Sequence, residues 1–184
     1  MNIQDIMLAC TVGHLGWFLR NNCRLTKSTL EARDKYGDFP LMVAAVHGHV
    51  PVMRYLVSKG VYVNQQYKEN LTALDGACKF NKNLYTIEFL LDNGADPNNV
   101  DSTMHTSLDY ALYDNNIDMT KLMLRYGAVP EFARSNTSNV AVKMWRKSPR
   151  SLKWLVQMRC FERSSTLCAL LQVNEFEKEI FIEY

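Results

Sequence analysis

Two aspartates and two histidines are the side chains best suited to chemistry in this sequence. Asp75 and Asp109 lie 34 residues apart in similar contexts, and they could supply the paired carboxylates of an acid-base catalyst. That separation instead predicts that each aspartate hydrogen-bonds locally. His47 and His49 have no cysteine or carboxylate at metal-ligand spacing, so the sequence predicts no metal site at either.

The familiar catalytic motifs do not occur in the sequence. It contains no Gly-rich phosphate loop, no G-x-S-x-G nucleophile elbow and no H-E-x-x-H zinc motif. No acid, base and nucleophile occur together in a pattern that a reaction would need. We therefore predict a protein that is not an enzyme, with no catalytic residue, no metal and no cofactor.

The cysteines predict a reducing environment. They are Cys10, Cys23, Cys78, Cys160 and Cys168. Their number is odd and no pair has the C-x-x-C spacing of a zinc site, so we expect five reduced thiols. The sequence also shows no signal peptide and no apolar stretch long enough to span a bilayer. These features predict a protein of the cytoplasm or the nucleus that does not bind membranes.

Composition and charge favour a protein partner over a nucleic acid. The 184 residues are 47% hydrophobic and 22% charged, which is ordinary for a folded soluble protein. The formal net charge is only +2. DNA binding would call for a sustained stripe of lysine and arginine along one face, and the sequence does not provide one there.

A repeated pattern must position all of these residues. Leucines recur at intervals of 33 and then 34 residues, at Leu41, Leu74 and Leu108. Glycines recur at intervals of 34 and then 33 residues, at Gly60, Gly94 and Gly127. A period of this length predicts a repeat array, in which each unit buries its apolar face against its neighbours.

Each unit contains a short core motif, and the motif identifies a family. The three versions read FPLMVAA at 39–45, TALDGAC at 72–78 and TSLDYAL at 106–112. They resemble the Thr-Pro-Leu-His-x-Ala-Ala core of the ankyrin repeat. The resemblance implies an all-α fold, an ankyrin-repeat solenoid of stacked helix-turn-helix units with short hairpin fingers, plus a C-terminal helical segment.

The repeat pattern divides the chain into four parts. Residues 1–33 read as an N-terminal capping repeat, and 34–130 as three ankyrin repeats. Residues 131–160 keep part of the pattern and read as a degenerate fifth repeat. Residues 161–184 read as a C-terminal helical tail. Terminal repeats are expected to differ from internal ones because one of their faces has no neighbouring repeat.

The fingertips need a backbone conformation with positive φ. Gly37 suits that place in the second repeat, and Asn70 is the next most tolerant residue type in the third. Met104 stands at the same place in the fourth repeat, and a methionine adopts positive φ only at a cost. We therefore expect the fourth finger to be rebuilt.

The helix ends carry their own signals. Thr72 and Thr106 are placed to cap the first helices of their repeats with a side-chain oxygen. Pro40 suits an early helical position. The third repeat has one extra residue around 81–84, which replaces the Gly-His turn of the second repeat.

The resemblance also implies where a partner would bind. In ankyrin repeats, the positions flanking the fingertips and the two residues after the alanine pair face the inner, concave side. In this sequence those positions are Lys35, Tyr36, Asp38, Val46, His47, Lys68, Glu69, Leu71, Lys79, Phe80, Ser102, Thr103, His105, Tyr113 and Asp114. Aromatic side chains among mixed charges suit a protein surface, so we predict a protein target on the concave face.

The last part of the chain shows a second resemblance, from residue 149 onward. SLKWLVQMRC at 151–160 is similar to the first helix of a SOCS box, in which Leu152 and Leu155 match and Val156 stands in place of a cysteine. The segment 171–182 is similar to the cullin-contacting segment of that box, without its prolines. This resemblance implies that Leu152, Leu155 and Val156 contact elongin B/C and that the C-terminus contacts a cullin.

These features leave two functional hypotheses open. The first is a non-enzymatic interaction module that is the substrate-recognition subunit of a cullin-RING ubiquitin ligase. The alternative is a stand-alone ankyrin inhibitor or decoy of a host or cellular signalling protein, similar to the inhibitors of NF-κB. The residues that match the SOCS box also fit the second helix of a fifth repeat, so the sequence alone supports both.

Overall fold

The computed structural model describes residues 2–114 and 116–129. Within those residues the chain folds into helices joined by turns, with no strand. In chain order the helices are α1 (Ile3–Val12), α2 (Leu15–Arg20), α3 (Lys27–Leu30), α4 (Pro40–Val46), α5 (Val50–Ser58), α6 (Ala73–Gly76), α7 (Leu84–Asp92), α8 (Ser107–Tyr113) and α9 (Ile117–Arg125). Single 3-10 turns cover Asn22–Arg24 and Lys68–Asn70, and a π-helical turn covers Ala77–Asn81.

The helices stack in two layers. The first helix of each repeat packs on the first helices of its neighbours, so that α4 lies between α1 and α6. The second helices do the same, with α5 between α2 and α7 and with α9 against α7. This arrangement confirms the prediction of an all-α solenoid of stacked helix pairs. The predicted fifth repeat and C-terminal tail lie outside the described residues.

Equivalent leucines occupy successive layers of one core. Leu41, Leu74 and Leu108 are all buried and belong to the same hydrophobic cluster. Full burial of a leucine side chain stabilises a fold by about 1.5–3 kcal/mol relative to exposure. Ala44 and Ala111, at a shared phase of the repeat, are fully buried as well, and their small side chains allow neighbouring helices to approach closely.

Threonines begin two of the first helices, as predicted. Thr72 caps α6, where its hydroxyl accepts a hydrogen bond from Asp75 N at 3.3 Å and its own N donates to Asp75 Oδ2 at 2.9 Å. Thr106 and Asp109 form the same reciprocal capping box at α8. Pro40 occupies the first turn of α4, a position that suits the fixed φ of a proline. A capping residue of this kind contributes about 1 kcal/mol to helix stability.

The fourth finger is not rebuilt, which corrects the expectation based on Met104. Gly37, Asn70 and Met104 all have positive φ, at 88°, 59° and 63°. Asp101 explains how a methionine is held there. Its carboxylate Oδ1 accepts hydrogen bonds from Thr103 N at 2.8 Å and from His105 N at 2.9 Å, and Met104 N donates to Asp101 O at 3.0 Å. These bonds stabilise the turn against the strain of the methionine.

This strain gives a testable prediction for Met104→Gly. Left-handed backbone costs a residue with a Cβ about 1–2 kcal/mol, and the Met104 side chain is largely exposed. The substitution should therefore raise the free energy of unfolding by about 0.5–1 kcal/mol, after allowance for the flexibility of glycine in the unfolded chain. Urea denaturation followed by circular dichroism measures this difference.

Gly37→Ala is the matched control for that prediction. Gly37 holds the same place in the second finger, and an added Cβ would lie 3.2 Å from Lys68 Cε in a left-handed conformation. This variant should be destabilised. A Met104→Gly protein that is less stable than the parent would show that the methionine side chain stabilises the finger more than the strain destabilises it.

The extra residue of the third repeat forms a π-helical turn. Ala77–Asn81 adopts the wider helix, and the chain then turns at Lys82, whose φ is 59°. Asn81 Nδ2 donates hydrogen bonds to the carbonyls of Ala45 and Val46 in the preceding repeat, at 3.3 and 3.1 Å. The π-helical turn thus accommodates the extra residue locally. The Asn81 side chain hydrogen-bonds to the backbone of the preceding repeat.

His49 has a structural role of the same kind. Its Nε2 is 2.9 Å from the carbonyl oxygen of Thr11 in the first repeat. A Cβ on Gly13 would lie 2.5 Å from His49 Nδ1, so only a glycine there leaves room for the imidazole. His49 therefore joins two repeats.

Candidate functional site

Most of the predicted partner-binding residues lie at the surface. The exposed ones are Lys35, Tyr36, His47, Lys68, Glu69, Lys79, Phe80, Ser102, Thr103 and Tyr113. The half-buried ones are Asp38, Val46, His105 and Asp114. These fourteen residues lie on the fingers and at the ends of the first helices. We call the surface that they form the finger face. Leu152, Leu155 and Val156 lie outside the described residues.

Leu71 does not belong to the finger face, which corrects one prediction. Its side chain is only 6% exposed and packs in the hydrophobic core. Its carbonyl oxygen accepts a hydrogen bond from Tyr67 N at 2.6 Å, which closes the base of the third finger. The residue next to the fingertip therefore anchors the finger to the core and offers almost no surface to a partner.

Neighbouring fingers contact one another. Tyr67 Oη donates to the carbonyl of Tyr36 at 3.3 Å, which joins the third finger to the second. Ser102 N donates to the carbonyl of Glu69 at 2.7 Å, which joins the fourth finger to the third. Lys68 lies along the second finger, close to Gly37. The fingers thus form a continuous edge that a partner could contact across three repeats.

A lysine and the aromatic rings of a phenylalanine and a tyrosine meet on the helical side of this face. The ammonium of Lys79 lies 5.5 Å from the ring centroid of Tyr110 and the same distance from that of Phe80. Tyr110 Oη donates to Asp101 Oδ2 at 2.5 Å. These contacts connect the π-helical turn of the third repeat to the fourth finger.

The hydrogen bonds around Asp101 set its charge. Burial raises the pKa of its carboxyl, but hydrogen bonds from Tyr110, His105 and Thr103 outweigh that effect and hold the pKa below the usual range. Burial and the neighbouring Asp101 carboxylate raise the pKa of Tyr110. The aspartate is therefore ionised and the tyrosine neutral around neutral pH.

Sequence reasoning missed Asp101 and Tyr110, although a signal was present. Asp34 begins the second finger as Asp101 begins the fourth, and its Oδ1 accepts hydrogen bonds from Tyr36 N at 2.8 Å and Asp38 N at 3.0 Å. The same residue type at the same repeat phase could have been read as a finger-stabilising aspartate.

Asp109 hydrogen-bonds locally, as predicted, whereas Asp75 bonds both locally and to residues further along the chain. Asp109 accepts hydrogen bonds from Thr106, and Asp75 accepts them from Thr72. Burial raises the pKa of both carboxyls against the effect of those bonds.

Asp75 also bonds beyond its own repeat. Ser107 Oγ donates to Asp75 Oδ1 at 2.6 Å from the start of α8, and Asn99 Nδ2 donates to Asp75 Oδ2 at 2.8 Å. Asp75 is fully buried, so these bonds satisfy a carboxyl that would otherwise be costly to bury. Its role is to connect the third and fourth repeats.

Two other features are absent from residues 2–114 and 116–129. No group of three or more histidine, cysteine, aspartate or glutamate side chains is arranged there to hold a metal ion. In the same part of the chain, no helix has the length and apolar character needed to cross a membrane.

The stacked helix pairs and their exposed finger face define an α-helical repeat solenoid with a surface for a partner. A family model described as ankyrin repeats (3 copies) matches residues 6–101, which is just over half of the chain. The chain belongs to the ankyrin-repeat family.

Viral ankyrin-repeat proteins are among the similar sequences. One from Acanthamoeba polyphaga mimivirus is 34% identical over 86 residues, covering 47% of this chain and 21% of the relative. One from fowlpox virus (strain NVSL) is 38% identical over 91 residues, covering 48% of this chain and 26% of the relative. The chain therefore covers only about a fifth to a quarter of the length of these relatives.

One similar protein carries the name of an enzyme. Palmitoyltransferase AKR1 of Lachancea kluyveri is 36% identical over 75 residues, covering 40% of this chain and 10% of that protein. The similarity concerns its ankyrin part. Ankyrin repeats are non-enzymatic modules that bind protein partners, and residues 6–101 form such an interaction module.

Proposed function

We propose that this chain is the substrate-recognition subunit of a cullin-RING ubiquitin ligase, which binds its protein target with the finger face. The observation that supports target binding is the set of exposed aromatic and charged side chains that the core does not use. Phe80, Tyr113 and Tyr36 are each more than half exposed on three successive repeats. Aromatic residues at the centre of an interface commonly carry much of its binding energy.

The ligase part of the proposal rests on the sequence after residue 149. Leu152 and Leu155 match the SOCS-box pattern, and this segment follows the repeats, as in ankyrin-repeat SOCS-box receptors. In this function the repeats hold the target, the tail binds elongin B/C and a cullin, and catalysis belongs to other subunits. We place this activity in the cytoplasm or the nucleus, which the free thiols of Cys10, Cys23 and Cys78 favour.

Affinity purification of the full chain tests the ligase part. The wild-type chain should recover elongin B/C, and Leu152→Asp should reduce that recovery about tenfold or more, because the proposed contact needs an apolar side chain and the variant supplies a charge. Deletion of residues 161–184 should remove the cullin. Quantitative mass spectrometry of the recovered proteins measures both effects.

Leu19→Asp is the matched control, since Leu19 is an exposed leucine on α2. It should leave elongin recovery unchanged. Absence of elongin B/C from the wild-type sample, or recovery that Leu152→Asp does not alter, would remove the ligase part. A chain that still holds its target after loss of residues 161–184, with no elongin, would instead be a stand-alone inhibitor or decoy.

A further inference from the structure

The π-helical turn of the third repeat creates a distinct patch on the finger face. We refer to the side chains of His47, Lys79, Phe80 and Tyr113 as the Lys79 patch. His47 ends α4, Lys79 and Phe80 lie in the π-helical turn, and Tyr113 ends α8. The turn packs between α4 and α8. The four side chains therefore lie at the ends of three neighbouring first helices.

Two aromatic rings of the patch are largely exposed. Phe80 is 60% exposed and Tyr113 is 67% exposed. The π-helical turn contains the extra residue of the third repeat, and such turns within helices are often found at functional sites because they redirect side chains. The patch thus offers apolar surface that this part of the chain does not cover.

Lys79 gives the patch an unneutralised positive charge. Among the described residues, no carboxylate lies within ion-pair distance of its ammonium, whereas the nearby Lys82 pairs with Asp114 at 2.8 Å. The ammonium instead lies over the rings of Phe80 and Tyr110. Aromatic faces hold a cation in place without cancelling its charge.

Two acidic groups of the fourth repeat have other partners close to this turn. Asp114 is paired with Lys82, and Asp101 accepts hydrogen bonds from Tyr110 and from its own finger. Neither carboxylate pairs with Lys79, so the ammonium itself presents an unpaired positive charge to a partner. A basic partner segment would be repelled, while an acidic one would gain an attraction at Lys79.

We propose that the Lys79 patch binds an acidic peptide segment of a partner protein, in which a carboxylate lies beside an aromatic or aliphatic side chain. The carboxylate contacts the Lys79 ammonium, and the apolar side chain packs against Phe80 and Tyr113. This inference rests on the proposed binding of a target by the finger face and specifies the chemistry of that target. It is independent of the ligase part.

Fluorescence anisotropy with labelled synthetic peptides tests the proposal directly on the purified full chain. The probe is Glu-Glu-Phe-Glu-Leu-Glu, compared with a version in which glutamine replaces every glutamate and a version in which lysine replaces every glutamate. The acidic probe should bind saturably, and more weakly as salt is raised. The glutamine and lysine versions should bind at least about tenfold more weakly.

Substitutions in the chain locate the binding. Lys79→Glu should weaken the acidic probe about tenfold or more and should improve binding of the lysine probe, because the sign of the charge at the patch is reversed. Phe80→Ser should weaken the acidic probe as well. Lys121→Glu is the matched control, since Lys121 is an exposed lysine on α9, and it should leave the binding unchanged.

The outcomes separate this inference from the proposed function. Equal binding of the acidic and glutamine probes, or equal effects of Lys79→Glu and Lys121→Glu, would overturn the inference, as would no binding of the acidic probe. Lys79→Gln serves as a second variant if Lys79→Glu does not fold. If the probe fails while finger-face substitutions still release a cellular partner, binding by this face stands and only the partner chemistry is wrong.

Discussion

Leu74→Ala is expected to lower the free energy of unfolding by about 2–5 kcal/mol, the range for truncating a buried leucine and leaving a cavity. Leu74 is 1% exposed and lies in the middle layer of the repeat stack, between the layers of Leu41 and Leu108. Urea denaturation followed by circular dichroism measures the loss. In a repeat protein a defect in a central layer also weakens both interfaces around it.

Leu8→Ala is the control for that loss. Leu8 lies on α1 but is 64% exposed, so its truncation creates no cavity and should change the free energy of unfolding by less than about 0.5 kcal/mol. Equal losses for the two leucines would contradict the layered core, because they would show that the phase of the repeat does not decide burial.

Asp75→Ala is expected to have the second largest effect, a loss of about 2–4 kcal/mol. The substitution removes the acceptor for Thr72 N, Ser107 Oγ and Asn99 Nδ2 in a fully buried place. Unpaired buried donors are costly. Asp109→Ala provides the comparison, since Asp109 is the same capping residue and, within the described residues, its hydrogen bonds go only to Thr106.

The loss for Asp109→Ala should be about 1–2 kcal/mol, the effect of a helix cap. A loss for Asp75→Ala no greater than that for Asp109→Ala would show that the bonds to Ser107 and Asn99 do not connect the repeats energetically. Denaturation of the two variants under one set of conditions decides between these results.

The pH dependence of the Asp75 contribution has a defined sign. Burial raises the pKa of Asp75 in the folded protein above its unfolded value, so the folded state binds more protons in the interval between the two. Its stabilising contribution is therefore greatest below the unfolded pKa and declines as pH rises through the folded pKa. The asparagine of the Asp75→Asn variant does not titrate. As pH rises across this interval, the wild type should therefore lose stability relative to this variant. A wild type that gains stability relative to Asp75→Asn over this interval would contradict the raised pKa of Asp75.

Features set by neighbouring residues could be predicted from the sequence. Thr72 and Thr106 begin their helices because the capping hydroxyl and the carboxyl that it faces are three residues apart. The layers of Leu41, Leu74 and Leu108 followed from their period, because equivalent repeat positions meet equivalent neighbours.

Features that depend on stacking could not be read from local rules. Met104 has positive φ because Asp101 holds both sides of the turn, and a residue propensity does not include those bonds. Leu71 was assigned to the binding surface because it flanks a fingertip, but its side chain turns into the core. The partner of Asp75 across the repeat interface, Ser107, is 32 residues away along the chain.

The candidate site was predicted in outline only. The positions on the fingers and first-helix ends came from the family pattern, and most of them are exposed. The exposure of Phe80 and the placement of Lys79 over two rings depend on the π-helical turn. A sequence shows that turn only as one extra residue, without its geometry.

We propose that the finger face, and not another surface of the stack, holds the partner. The most direct test compares proteins recovered from cells with the full chain carrying Phe80→Ser and Tyr113→Ser, or carrying Tyr62→Ser and Tyr85→Ser. All four aromatics are at least about as exposed as Phe80, but only the first pair lies on the finger face. We predict that the first variant loses at least one partner that the second retains in wild-type amount, by quantitative mass spectrometry. Identical partner recovery by the two variants, or loss only in the second, would contradict the claim.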